Sequence, residues 1–148
     1  MKPKEEITMI QIIAGDKGKG KTKHLLEKVN TEIKSVHGNI VYLDKSSQHM
    51  YELNNKIRLI NTAEFDLGSA NAFYGFICGI ISQDHDLEQV YLDSFLKIAS
   101  LENDDDVAAM LDKLNELGEK YQVTFVISIS VDAHKLPENM QGNVIVSL

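Results

Sequence analysis

Short apolar runs alternate along this chain with longer stretches in which apolar residues recur at helical spacing. Met9 to Ala14 (MIQIIA), Ile40 to Leu43 (IVYL), Ile57 to Ile60, Gln89 to Leu92 (QVYL), Val123 to Ile129 (VTFVISI) and Val144 to Leu148 read as strands, several of them stopped by Gly, Asp or Asn. Between them, Lys21 to about Val36 places Leu25, Leu26, Val29, Ile33 and Val36 on one helical face, and Gly38 is expected to end that helix. Asp44 opens a short polar helix candidate running through Leu53. Ser69 to Ser82 is a strongly apolar helix with Ser69 placed as its N-cap. Asp104 to Lys120 carries Val107, Met110, Leu111, Leu114 and Leu117 on one face. Its acidic start and basic end suit the helix dipole.

Strands alternating with helices predict an α/β protein, a three-layer sandwich around a mainly parallel sheet. No repeat, low-complexity tract or linker divides it, so residues 1–148 read as a single domain, with residues 1–7 as a flexible tail. In a parallel sheet, chemistry gathers beyond the carboxyl ends of the strands. That rule gathers Gly15–Thr22, Asp44–Ser46, Asn61–Glu64, Asp93–Ser94 and Ser130–Asp132 on one edge. The trio Asp84-His85-Asp86 precedes a strand and falls on the other, where a solvated loop is the better reading than a metal site.

Composition narrows the function. The balance of 43% hydrophobic and 25% charged residues is that of a globular domain. A net charge of −7 disfavours a general nucleic-acid partner. The lone Cys78 precludes an intramolecular disulfide and reads as a small buried hydrophobe. The charged MKPKEE start lacks a signal peptide's apolar segment, and the apolar run Ala72 to Ile81 is too short to span a bilayer. A cytoplasmic protein without membrane association is expected.

The most specific feature is Gly15-Asp16-Lys17-Gly18-Lys19-Gly20-Lys21-Thr22, which fits G-x-x-x-x-G-K-[ST] directly after a strand and at the opening of a helix. Glycines let consecutive N–H groups turn inward onto phosphate oxygens. Lys21 supplies a point charge for the β- and γ-phosphates, Thr22 a hydroxyl for Mg²⁺, and the helix N-terminus points at the same anion. Lys17, Lys19 and Lys23 add positive charge that either neutralises phosphate or is simply solvated. Asp93, ending the QVYL strand, is the matching candidate to hold the Mg²⁺ hydration shell.

With AGDKGKGKT, IVYLD, IRLIN, QVYLDS and VTFVISIS in series, the chain resembles the RecA-like branch of P-loop ATPases from Met9 to Ser130. The resemblance implies ATP and Mg²⁺ as ligands, frequent ring or filament assembly, and a second strand lying between the first strand's neighbours. GTPases share only the glycine loop, since Asn55-Lys56-Ile57-Arg58 departs from N-K-x-D. Small-molecule kinases usually carry an arginine-rich lid, and Arg58 is the one arginine here. The partitioning class has a lysine where this chain has Asp16. Corrinoid adenosyltransferases share the G-K-G-K-T string without their further motifs.

The same resemblance implies a glutamate to orient the attacking water, near the end of the second strand or just after the magnesium aspartate. Neither place has one. Asp44 and Glu64 stand in as candidates for the base, although Asp44 serves equally well as a helix cap. Ser128 or Ser130 would sense the γ-phosphate, and alternation puts both on one face. Arg58 starts a strand on the wrong edge, so the transition-state cation must come from Lys45, Lys135 or a neighbouring subunit. These departures predict a weak Mg²⁺-dependent ATPase activated by self-assembly or a protein partner, or else a nucleotide-sensing module without significant turnover.

Overall fold

A computed structural model describes residues 9–148. The tail expected over residues 1–7 lies outside them. Six strands, β1 (Ile10–Ala14), β2 (Asn39–Asp44), β3 (Arg58–Asn61), β4 (Leu87–Leu92), β5 (Thr124–Ile129) and β6 (Val144–Ser147), form one sheet in the order β3-β2-β4-β5-β1-β6. Every pairing is parallel. The neighbours of β1 are β5 and β6, and β2 stands between β3 and β4. The expectation that the second strand would lie between the first strand's neighbours is therefore wrong.

Two helical layers cover the sheet. On one face, Leu25, Leu26 and Val29 of α1 (Lys21–Glu32) pack on Ile13, Ile40, Tyr42, Tyr91 and Val126. On the other, Phe73, Ile77 and Ile81 of α2 (Ala70–Ser82) join Met110, Leu111 and Leu114 of α4 (Asp104–Tyr121) over Ile12, Leu43, Leu92 and Ile127. Successive strand residues point to opposite faces, so each strand feeds both cores. The three-layer α/β sandwich expected from the sequence is present. Its sheet is wholly parallel among the described residues.

Caps fall where the side chains predict them. Ser69 accepts the Ala72 N–H at 3.1 Å, and Asn103 accepts the Asp106 N–H at 2.9 Å. Three local readings are corrected. The polar helix candidate from Asp44 to Leu53 is mostly irregular chain, with a single 3₁₀ turn at Met50–Glu52; its polar residues have no apolar face to dock. The first helix ends at Glu32, ahead of Val36, and continues as turns. Gly38 acts beyond that end: a Cβ there would collide with the Asp86 carbonyl, and its N–H donates to the Glu88 carboxylate. Two short helices, α3 (Phe95–Ile98) and α5 (Glu138–Gln141), span too few residues to show a period.

Candidate functional site

Parallel pairing puts the carboxyl ends of β1, β2, β4 and β5 side by side, and a cavity of about 370 Å³ opens there. The glycine-rich loop after β1 forms one wall. Gly18 and Gly20 have φ of +87° and +89°, a region side chains rarely adopt, and Gly20 is the residue on which α1 starts. Gly15 answers a different need. A Cβ there would lie 2.9 Å from that of Leu148, so it allows the loop to leave β1 beside the end of β6.

Lys21, in the first turn of α1, is 8% exposed and donates from Nζ to the Asp16 carbonyl at 3.0 Å. Burial lowers its pKa, while the nearby Asp93 and Asp16 carboxylates pull the other way. Thr22 sits one residue on, and its Oγ1 donates to Asp93 Oδ1 across 3.2 Å.

Asp93, 2% exposed, is the centre of the site. Besides Thr22, it accepts from Tyr42 Oη at 2.9 Å and from Ser128 Oγ at 2.8 Å. Ser128 also accepts the Ser94 N–H at 2.9 Å, which holds the turn after β4 where Ser94 takes φ +57°. Strand alternation explains the convergence: Tyr42, Ser128 and Asp93 all lie on the face that α1 covers. Burial and the neighbouring Asp93 drive the Tyr42 phenol far above its ordinary pKa, so it stays a donor. Tyr91 stacks on Tyr42 with ring centroids 6.0 Å apart, which fixes the phenol's aim.

The other sequence candidates divide into walls and bystanders. Lys17, Gly18, Gly20, Lys21, Thr22, Asp93 and Ser130 line the cavity, as do Lys45, Lys97 and Ser128. Gly15, Asp16, Lys19 and Lys23 belong to the loop or its helix without forming a wall. The two serines left open by alternation separate: Ser128 is buried in β5 on Asp93, and Ser130 is exposed beyond the strand end. Asp44 is buried at the end of β2 and is no wall of the cavity, its Oδ1 accepting the Lys45 N–H at 2.7 Å. It therefore caps no helix. Burial first, and Asp93 second, raise its pKa.

Glu64 lies exposed in a 3₁₀ turn, Thr62–Glu64, and forms no wall of the cavity. Thr62 takes the inward position, donating to the Asp44 carbonyl at 3.1 Å. Lys135, in the turn Ala133–Lys135, is likewise no wall. Arg58 opens β3 at the amino edge, as expected, and Asp84 and Asp86 precede β4 there. Asp84 accepts from Asn39 Nδ2 at 2.9 Å and from the Asp86 N–H at 2.9 Å, the bonding of a structural loop. Cys78 is only half-buried on α2.

Sequence reasoning missed Tyr42 and Lys97. Tyr42 read as one more apolar strand residue, and Lys97 lies in a helix too short to register. The signal that finds Tyr42 is its parity with Asp44, two residues from the strand's end.

Thr22 and Asp93 are a donor set suited to a hydrated Mg²⁺, which takes one or two protein oxygens and completes its shell with water and phosphate. No group of three or more His, Cys, Asp or Glu among the described residues could hold a metal alone. No helix of the described residues is long and apolar enough to cross a membrane. The chain matches no model of a known protein family, and no curated protein matches it.

Proposed function

We propose that this chain binds ATP as its Mg²⁺ complex in the cavity above β1, β4 and β5, and hydrolyses it slowly, as the resemblance to RecA-like P-loop ATPases implies. One observation carries the reading. The Thr22 hydroxyl and the Asp93 carboxylate, 71 residues apart in sequence, meet at 3.2 Å beside the Lys21 ammonium and a loop with two left-handed glycines. A glycine-rich turn serving only to reverse the chain needs none of these partners.

Lys21 is held over the loop by a carbonyl, a neutral acceptor that a phosphate oxygen outcompetes. Loop N–H groups and the start of α1 add donors for the same anion. When bound, Mg²⁺ would neutralise charge on the β- and γ-phosphate oxygens. Thr22 would give it one oxygen, and Asp93 would hold its water shell. Tyr42 and Ser128 aim the Asp93 carboxylate by donating to it.

The nucleotide-sensing alternative is favoured by a specific observation. Asp93 is the one carboxylate among the described cavity walls, and it is engaged with Thr22, Tyr42 and Ser128. With neither Asp44 nor Glu64 among the walls, no acidic side chain of the described residues stands free in the cavity to orient water, so turnover should be slow.

Calorimetric titration with ATP and ADP, with and without Mg²⁺, tests the reading alongside a turnover assay. Lys21→Ala should abolish binding of both nucleotides. Asp93→Ala should remove the Mg²⁺ dependence and whatever hydrolysis the wild type shows. Unchanged affinity in Lys21→Ala would reject the site.

A further inference from the structure

We propose that Lys45 and Lys97 form a γ-phosphate clamp that discriminates ATP from ADP and supplies the transition-state cation from within the same chain. The proposal rests on the ATP reading of the cavity and extends it to a part of the wall that no glycine-loop motif includes.

The two lysines arrive from different elements. Lys45 is the first residue after β2, and Lys97 lies in α3, just after β4. Because β2 and β4 are hydrogen-bonded neighbours, their carboxyl ends set both side chains on one rim. Both also border a second cavity, of about 360 Å³, whose other walls include Thr62, Phe65 and Gly68. The pair therefore stands on the rim that the two cavities share, with Lys17 of the glycine loop lining the same nucleotide cavity. In the proposed complex, a triphosphate with its β-phosphate in the loop would bring its terminal phosphate within reach of these two lysines, which line the same cavity as Lys21 and Asp93.

Charge points the same way. Lys17, Lys21, Lys45 and Lys97 line one cavity whose only carboxylate among the described walls is that of Asp93. In a chain of net charge −7 this is a local reversal of sign. The ion pairs among the described residues, Lys28 with Glu32 and His49 with Glu52, leave all four of these lysines out. The ammonium of Lys97 is held below its ordinary pKa, first by Lys45 and then by Lys17. Like charges crowded on one rim repel, and a polyanion arriving between them relieves that repulsion.

The clamp also answers a question raised by composition. P-loop enzymes gain 10³–10⁵ in rate from a cation on the transferring phosphoryl group. The single arginine, Arg58, opens β3 on the opposite edge of the sheet. Lys45 and Lys97 fill that role without a second subunit. Lysine is a point charge and not a planar fork, so the clamp senses charge more than geometry.

The test measures ATP and ADP affinity by calorimetry with Mg²⁺ for the full chain and for Lys45→Met, Lys97→Met and Lys21→Ala. Turnover is followed at dilute and concentrated protein. Each methionine variant should lose about tenfold or more in ATP affinity, the value of a charge-assisted contact, and less than about threefold in ADP affinity. Arginine at either position should restore most of the preference. Wild-type turnover per chain should not depend on protein concentration. Both lysines are exposed, so melting temperatures should stay at the wild-type value.

Equal losses for ATP and ADP, or none, in a protein whose Lys21→Ala variant binds neither nucleotide would overturn the clamp while leaving the nucleotide site intact. Turnover that climbs with protein concentration and ignores both methionine variants would place the cation on a neighbouring subunit and also overturn it. A wild type that binds neither nucleotide would remove the nucleotide reading itself, and the clamp with it.

Discussion

At the scale of single residues, the site is organised around one buried carboxylate. Asp93 accepts from three hydroxyls, and each hydroxyl comes from a different element. Asp44 has fewer partners: it is buried with one backbone donor and a like charge nearby, and its pKa is raised. The native state therefore binds the Asp44 proton more tightly than the unfolded chain does. By linkage, stability falls as pH rises from the ordinary carboxylate range, about 4, to the raised native value. Asp44→Asn keeps an oxygen for the Lys45 N–H and removes the charge. Its melting temperature should exceed that of the wild type at neutral pH, and the difference should vanish as the solution is acidified. Thermal melts across pH check this, and ATP affinity should be unchanged because Asp44 is no wall of the cavity. Asp93 as a magnesium candidate was legible in the sequence because it ends an apolar strand. Its partners were not, since Tyr42 and Ser128 become neighbours of Asp93 only once β2 and β5 flank β4.

At the scale of elements, two glycines in two helices make opposite predictions from the same chemistry. Glycine within a helix costs about 0.5–1 kcal/mol relative to alanine. Gly79 of α2 has open space where a Cβ would go, so Gly79→Ala should stabilise by about that amount. Gly118 of α4 packs so closely that a Cβ would lie 2.5 Å from the Val123 carbonyl oxygen and 2.6 Å from Met9 Cβ. Gly118→Ala should destabilise by about 1–3 kcal/mol, the usual cost of overpacking. Urea denaturation of the two variants separates the cases. The long helices were legible because their apolar faces repeat often enough to define a period. The segment from Asp44 to Leu53 was misread because polar residues signal only that a stretch is solvated. Nothing in such a pattern distinguishes a helix from irregular chain.

At the scale of the whole molecule, the proposed nucleotide site joins segments far apart in the chain. Thr22 and Asp93 are joined through α1 and β4, and Gly15 packs on Leu148 at the far terminus. A ligand bridging those elements stabilises the native state alone, by about 2.7 kcal/mol at a hundredfold excess over its dissociation constant. For a chain of this size that corresponds to a rise of roughly 5–10 °C in melting temperature. Mg²⁺-ATP should produce such a rise in the wild type and none in Lys21→Ala, as differential scanning calorimetry would read. The sequence by itself determined the alternation of strands and helices, the α/β class, the glycine loop and the strand-end position of Asp93. These are local properties, set by periodicity, backbone freedom and the residue that stops each strand. Only the tertiary structure decided that β5 lies between β1 and β4, bringing Ser128 to Asp93. It also decided that Asp44 and Glu64 stay out of the cavity while Lys45 and Lys97 line it. Strand order and side-chain burial depend on contacts between distant segments, and a local pattern carries no record of which distant segment will be its neighbour.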